Sequence, residues 1–379
     1  MSLIISPPAP LTLTYKTVGN IPIELDVYPP IEGTEVMNHS GEIAVVLWFH
    51  GGRGLAMGNR TNFFPKWLQT KVNDAGIAFI SVDYRLIPSG SVTAHQIVED
   101  VQDAFAFVRG TSFSSALDSL ASDGNLPFPK FRIDPGSVAA AGSSAGGTCA
   151  YFAAMRVQPK PAALLSMFAM AGDFLTPHYL EPKDKPFLPG QPLVDPSHGK
   201  NYIYPFSTLP SGFQRSRGLG LPPLPANPRM LLGLLYLQLG TVLDYFTGEH
   251  EPSLSQSLRE ANDAEYLTPQ ARKQRLRELI PQKHHAIFPE LGVDSSWPPT
   301  LLIHGSADTL TPVVESQEMY KALQNAGVLS RINIVEGAEH LFDLVPEAEK
   351  IHEEPFNDAV EFLKIILGKS LSLSSTLEK

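Results

Sequence analysis

Residues 142–146 read Gly142-Ser143-Ser144-Ala145-Gly146, a serine with glycine two places away on either side. A hydroxyl held at a sharp turn from strand into helix can attack a carbonyl carbon, and side chains at both flanking positions would crowd such a turn. Ser144 is the candidate nucleophile, because centring the pattern on Ser143 would put Ala141 where the first glycine belongs. A serine hydroxyl is a poor nucleophile at neutral pH. It needs an imidazole to take its proton and a carboxylate to orient that imidazole. Asp308, in His304-Gly305-Ser306-Ala307-Asp308, follows an apolar run ending at Ile303, and His340, in Glu336-Gly337-Ala338-Glu339-His340, follows the next one.

The negative charge that develops on a tetrahedral intermediate needs donors, each worth roughly a hundredfold to a thousandfold in rate. His50-Gly51-Gly52-Arg53 follows the apolar run 43–49, and its glycines let backbone N–H groups approach an oxygen; the N–H of Ala145, next to the nucleophile, is the expected further donor. The other histidines are read as bystanders. His304 faces the core or the sheet end, while His178, His198, His250, His284 and His285 take surface or pocket-lining roles, and no pair has metal-ligand spacing.

These residues need strands that end together. Residues 11–28 alternate and break at Gly19-Asn20, the signal of an antiparallel hairpin. The runs 43–49, 77–82, 137–141, 163–169, 300–304 and 331–335 read as strands, the one at 137–141 bounded by Pro135-Gly136. Residues 64–75 and 94–109 read as helices between them, the second stopped by Gly110, and the segment after the elbow starts another. Alternating strand and helix predicts an α/β fold, a mostly parallel central sheet with helices on both faces. Between 172 and 298 the composition shifts to proline-rich chain and then to three helical stretches, 228–246, 254–263 and 269–279. An insertion this long predicts a mainly helical cap over the sheet's carboxyl edge, where Tyr202, Tyr204, Phe206 and Phe213 need burial. The expected organisation is a core of 1–171 and 299–370, a cap of 172–298 and a frayed Ser-rich tail of 371–379.

Composition narrows the setting. The 379 residues are 43% hydrophobic, and Lys+Arg 29 against Asp+Glu 39 gives a net charge of −10, which argues against nucleic acid or anionic membranes as partners. The single cysteine, Cys149, excludes an intramolecular disulfide and reads as a buried structural thiol. Residues 1–10 lack the basic and apolar regions of a secretory signal, and 230–246 is too short and too polar for a membrane span, so a cytoplasmic protein is expected.

His50-Gly51-Gly52, Asp83-Tyr84-Arg85-Leu86, Gly142-Ser143-Ser144-Ala145-Gly146, Asp308 and His340 together resemble the hormone-sensitive-lipase-like branch of the α/β-hydrolases. The resemblance implies the α/β-hydrolase fold, hydrolysis of carboxylic esters as a carboxylesterase-type serine hydrolase, and neither metal nor organic cofactor. It makes Ser144, Asp308 and His340 the triad and Gly51, Gly52 and Ala145 the oxyanion hole. Two positions depart from the family's pattern. Arg53 stands where a third glycine is usual, either favouring an acidic substrate or, the preferred reading, turning outward into an ion pair. Pro88-Ser89 replaces the usual Pro-Glu, so a salt bridge to Arg85 must be rerouted.

The expected partner is a small-molecule ester, with Arg53, Tyr202, Tyr204 and Phe206 as candidate pocket residues. The same triad also serves a lactonase, deacetylase or acyltransferase. A non-catalytic binding protein on the same scaffold is the reading from another class.

Overall fold

The computed structural model describes residues 10–31, 33–34, 40–206, 229–262 and 268–377; Phe213 lies outside them. The chain begins with the antiparallel pair β1 (Leu11–Val18) and β2 (Ile21–Tyr28), joined by Gly19 at a φ of 62°. β3 (Glu42–Phe49), α1 (Lys66–Asp74), β4 (Ala78–Val82), α2 (Ala94–Arg109) and α3 (Thr111–Ser122) follow. Next come β5 (Arg132–Ser143), α4 (Ala145–Arg156) and β6 (Leu164–Met167). The chain then leaves the sheet for α5 (Pro177–Leu180), α6 (Arg229–Leu239), α7 (Val242–Thr247), α8 (Leu254–Asn262) and α9 (Pro269–Leu279). β7 (Thr300–Gly305), α10 (Val314–Asn325), β8 (Ser330–Val335), α11 (Ala348–Ile351) and α12 (Glu353–Leu377) complete it.

The eight strands form one sheet in the order β1-β2-β4-β3-β5-β6-β7-β8. β2 is antiparallel to β1 and β4, and every later pairing is parallel. β3 shows why its sequence is apolar without alternation. Val45, Leu47 and Phe49 pack with Val101 and Phe105 of α2 and Tyr151 of α4, whereas Val46 and Trp48 pack with Trp67 of α1 and Phe356 of α12. A strand covered on both faces buries every side chain, each large one contributing about 1.5–3 kcal/mol. α2 is started by Thr93, whose hydroxyl accepts from the His95 N–H while Gln96 accepts from the Thr93 N–H.

Four features differ from the sequence reading. Pro135-Gly136, read as a boundary, lies inside β5, where the pairing with β3 shifts register between Ile43 and Val45. A bulge of this kind absorbs residues that a regular ladder rejects. α3, which the periodicity did not suggest, follows α2 directly across Gly110. The apolar stretch 228–246 is two helices, because Gly240 takes a φ of 63° between α6 and α7. α12 continues to Leu377, through most of the Ser-rich stretch expected to fray.

Candidate active site

Ser144 stands between β5 and α4 with φ 52° and ψ −123°, a conformation that side chains resist and that only its surroundings can enforce. Its N–H donates to the Met167 carbonyl at 2.9 Å, and its carbonyl accepts from Gly147 and Met170. The flanking glycines are required by contact. A Cβ on Gly142 would lie 2.2 Å from the Gly146 oxygen, and one on Gly146 would lie 2.0 Å from the Phe49 oxygen. The second contact presses the elbow against the end of β3, which brings the His50–Arg53 loop alongside it.

His340 and Asp308 reach Ser144 from the ends of β8 and β7. His340 Nε2 is 3.1 Å from Ser144 Oγ and Nδ1 is 2.7 Å from Asp308 Oδ2. With the Nδ1 proton donated to Asp308, Nε2 is left to accept from the serine hydroxyl. Phe168 lies edge-on to the imidazole, with ring centroids 4.9 Å apart. Asp308 is buried, which opposes its ionisation. Hydrogen bonds from His304, His340 and the Thr311 N–H outweigh that cost and hold its carboxyl down at about 2.

His304 is the residue that sequence reasoning undervalued. It is fully buried, as expected, but its Nε2 lies 2.8 Å from the Thr311 carbonyl and 3.4 Å from Asp308 Oδ2, and Nδ1 lies 2.7 Å from Ser316 Oγ. The carbonyl fixes the proton on Nε2, so His304 offers Asp308 a second N–H. Its place four residues before Asp308 was the available signal. Away from these residues, His178 Nε2 donates to the Leu310 carbonyl at 3.1 Å, and His284 pairs with His95 at 2.9 Å and Glu249 at 3.1 Å. No group of three or more His, Cys, Asp or Glu among the described residues could hold a metal ion.

Gly51 and Gly52 enter beside the nucleophile. A Cβ on Gly51 would sit 3.6 Å from Ser144 Cβ, and one on Gly52 would strike the Met57 oxygen at 1.8 Å. Ala145 is the first residue of α4, so its N–H has no acceptor within the helix. His50 anchors the loop from below: its ring stacks on Tyr84 at 4.3 Å, and the Tyr84 hydroxyl donates to the His50 carbonyl at 2.7 Å. Burial lowers His50 to about 4, leaving the ring neutral at pH 7. The segment Asp83–Leu86 is a brace. Arg85 binds Asp100 and Glu99, each at 2.8 Å, while Ser89 accepts from Arg229 instead of meeting Arg85.

A cleft opens at Ser144, enclosing about 510 Å³ including its open mouth. Arg53, Tyr179, Tyr236 and apolar side chains of α6 and α7 line it. Arg53 does not turn outward into an ion pair. Its guanidinium donates to the Met230 carbonyl at 3.1 Å, under α6, with a Cβ on Gly233 excluded at 2.0 Å from the Arg53 oxygen. Tyr202, Tyr204 and Phe206 do not line the cleft. Tyr202 lies beneath the Arg229 guanidinium, Tyr204 stacks on His250 at 4.5 Å, and Phe206 packs edge-on against Tyr204 and Tyr245. They hold the layer behind the lining. Periodicity shows that aromatics are buried, but not which layer receives them.

The alpha/beta hydrolase fold family model matches residues 46–200. The chain has the α/β-hydrolase fold. That match takes in the His50-Gly51-Gly52, Asp83–Leu86 and Gly142–Gly146 motifs, and the prolyl oligopeptidase family model matches residues 242–370, which include Asp308 and His340. A thermophilic esterase of the planctomycete Thermogutta terrifontis shares the fold, with a TM-score of 0.53 and 18% identity, over 95% of this chain and 94% of that one. In sequence, the chain is 28% identical over 93% of its length to a non-reducing polyketide synthase of Penicillium brasilianum. It is also 28% identical over 93% of its length to one of Emericella nidulans. The chain spans about 14% of the length of each synthase. No helix among the described residues is long and apolar enough to cross a membrane.

Proposed function

We propose that this α/β-hydrolase cleaves carboxylic esters through an acyl-enzyme. Ser144 Oγ attacks the ester carbonyl as His340 Nε2 takes its proton; the tetrahedral oxyanion collapses, and His340 returns the proton to the departing alkoxide. Water then attacks the acyl-serine with His340 again as base, releasing the acid and restoring Ser144. Asp308 holds the imidazole's tautomer and offsets its charge, and the N–H groups at Gly51, Gly52 and Ala145 receive the oxyanion. The described residues of 172–298 form the cap, and those of 1–171 with 299–370 the catalytic core. The observation that carries this reading is the hydrogen-bonded run from Ser144 through His340 to Asp308.

Labelling by a fluorophosphonate, read by mass spectrometry, should fall on Ser144 and vanish in Ser144→Ala. Turnover of short 4-nitrophenyl esters should vanish with it, and full turnover by the variant would end the proposal. A folded, monodisperse protein that takes no label would favour the binding-protein reading.

A second reading is favoured by the likeness to polyketide synthases along nearly the whole chain. The acyl group would then come from a polyketide ester or thioester, and the acceptor could be a hydroxyl of the substrate instead of water. Supplying aryl thioesters with and without added alcohols, and measuring how the acyl group partitions between acid and ester, separates the two readings.

A further inference from the structure

We infer that Arg53 is a specificity-determining residue that binds a carboxylate on the substrate; this rests on the ester-cleaving reading of Ser144. Three observations converge on it. Arg53 is the one charged residue among the described residues lining the cleft, whose other walls include Ile87, Met170, Leu234, Leu237 and Leu310. Its guanidinium has one protein acceptor, the neutral Met230 carbonyl, and no carboxylate partner among the described residues. A cation largely removed from water is costly unless a counter-charge or a full set of acceptors meets it.

The backbone adds the third observation. Arg53 sits at a φ of 36°, in the left-handed region, and α6 closes on its carbonyl through Gly233. Glycine would adopt that conformation with less strain, so the side chain is kept against the backbone's preference. The planar guanidinium still has N–H groups directed away from the Met230 contact, and their fork matches a carboxylate. One cation balances one negative charge. A phosphate dianion would need a second, and the described lining has none.

The substrate class is therefore a half-ester of a dicarboxylic acid, or an ester whose acyl chain ends in a carboxylate. Mono-4-nitrophenyl esters running from succinate to suberate, each paired with an isostere whose carboxylate is replaced by a methyl ketone, measure this directly. The wild type should favour the acidic member by ~10-fold or more in kcat/KM at one chain length, chiefly through KM. Arg53→Gln should collapse that ratio towards one and Arg53→Lys should restore part of it. High salt should leave the neutral esters' relative order intact while lowering the acidic preference. No preference at any length, with the neutral esters turned over, overturns the role of Arg53 and leaves the esterase reading standing.

A direct binding arm keeps the two failures apart. Ser144→Ala should bind the half-esters by calorimetry about tenfold more tightly than Ser144→Ala/Arg53→Gln does. Equal binding by the two variants overturns the proposal whether or not the protein turns over any ester, and loss of serine labelling in the wild type reports on the esterase reading alone.

Discussion

His304 Nε2 lies 3.4 Å from Asp308 Oδ2, the same oxygen that holds His340 at 2.7 Å. One carboxylate oxygen thus faces two imidazoles, while the other, Oδ1, accepts from the N–H groups of Leu310 and Thr311. Both oxygens of the Asp308 carboxylate are thus held where it meets His340.

His304→Phe should loosen that hold. Asp308 ionises at about 2 in the fold against an ordinary 3.8, so its stabilisation is present above the unfolded value and lost as pH falls through the folded one. The shift is worth on the order of 2 kcal/mol. Removing His304's N–H raises the folded value, so acid unfolding followed by circular dichroism should begin at higher pH. Activity should fall about tenfold, with less loss in His304→Gln, which keeps a donor. An unchanged acid midpoint would leave His304 a packing residue.

Gly146→Ala should abolish folding or activity outright. Its methyl would meet the Phe49 oxygen at 2.0 Å and the His50 oxygen at 2.5 Å, both backbone atoms, so no flexible side-chain end can move aside. A cost of several kcal/mol is expected, roughly 3 or more. Soluble yield and thermal melting report it, and a variant with wild-type Tm would show that the elbow can slide along β3.

Glu290 predicts a pH dependence of opposite sign. Burial, reinforced by Asp173, raises its carboxyl from 4.5 to about 8. Between those values the folded chain holds a proton that the unfolded chain releases, so stability declines as pH rises through that window. Glu290→Gln keeps an oxygen for the Phe174 N–H, which Oε1 now accepts at 3.0 Å, and removes the titration. Its Tm should therefore drop less than the wild type's between pH 5 and pH 8, a residual slope remaining from Glu315, which burial also raises to about 8. Parallel curves would refute the assignment.

Arg229→Met should detach α6 from the core. The guanidinium donates to the Ala56 and Ile87 carbonyls at 3.1 and 3.3 Å, and to Pro88 and Ser89 at 2.5 Å each. Leaving those acceptors without a donor should cost about 2–4 kcal/mol. Faster proteolysis within the α6 to α7 segment than elsewhere would show that the loss is local, and uniform cleavage would point to global destabilisation.

The candidate catalytic residues were legible because the proposed chemistry is tied to chain order and to local rules. Gly142 and Gly146 announce the turn, and Asp308 and His340 each follow a strand. The sheet was legible for a related reason, since strands buried on both faces write unbroken apolar runs such as 43–49. What escaped depends on contacts across the chain. Nothing near Arg229 in sequence names Pro88 as its acceptor, and Tyr179 and Tyr236 reach the cleft through turns that periodicity cannot aim. Arg53 was visible as an anomaly, but its direction was set by Met230, 177 residues away. The break at Gly240 was signalled only by a glycine, which helices also tolerate.

The contact between Gly233 and the Arg53 carbonyl sets a rule for re-engineering this cleft. α6 and the Gly51–Arg53 loop share one joint, with no slack for even a methyl group between them. Transplanting a foreign α6 would displace Gly51 and Gly52 along with it, and under the proposed mechanism turnover would suffer before selectivity changed. Room for larger acyl groups has to be carved from the side walls, at Leu234, Leu237 or Leu310, with the hinge stone left in place.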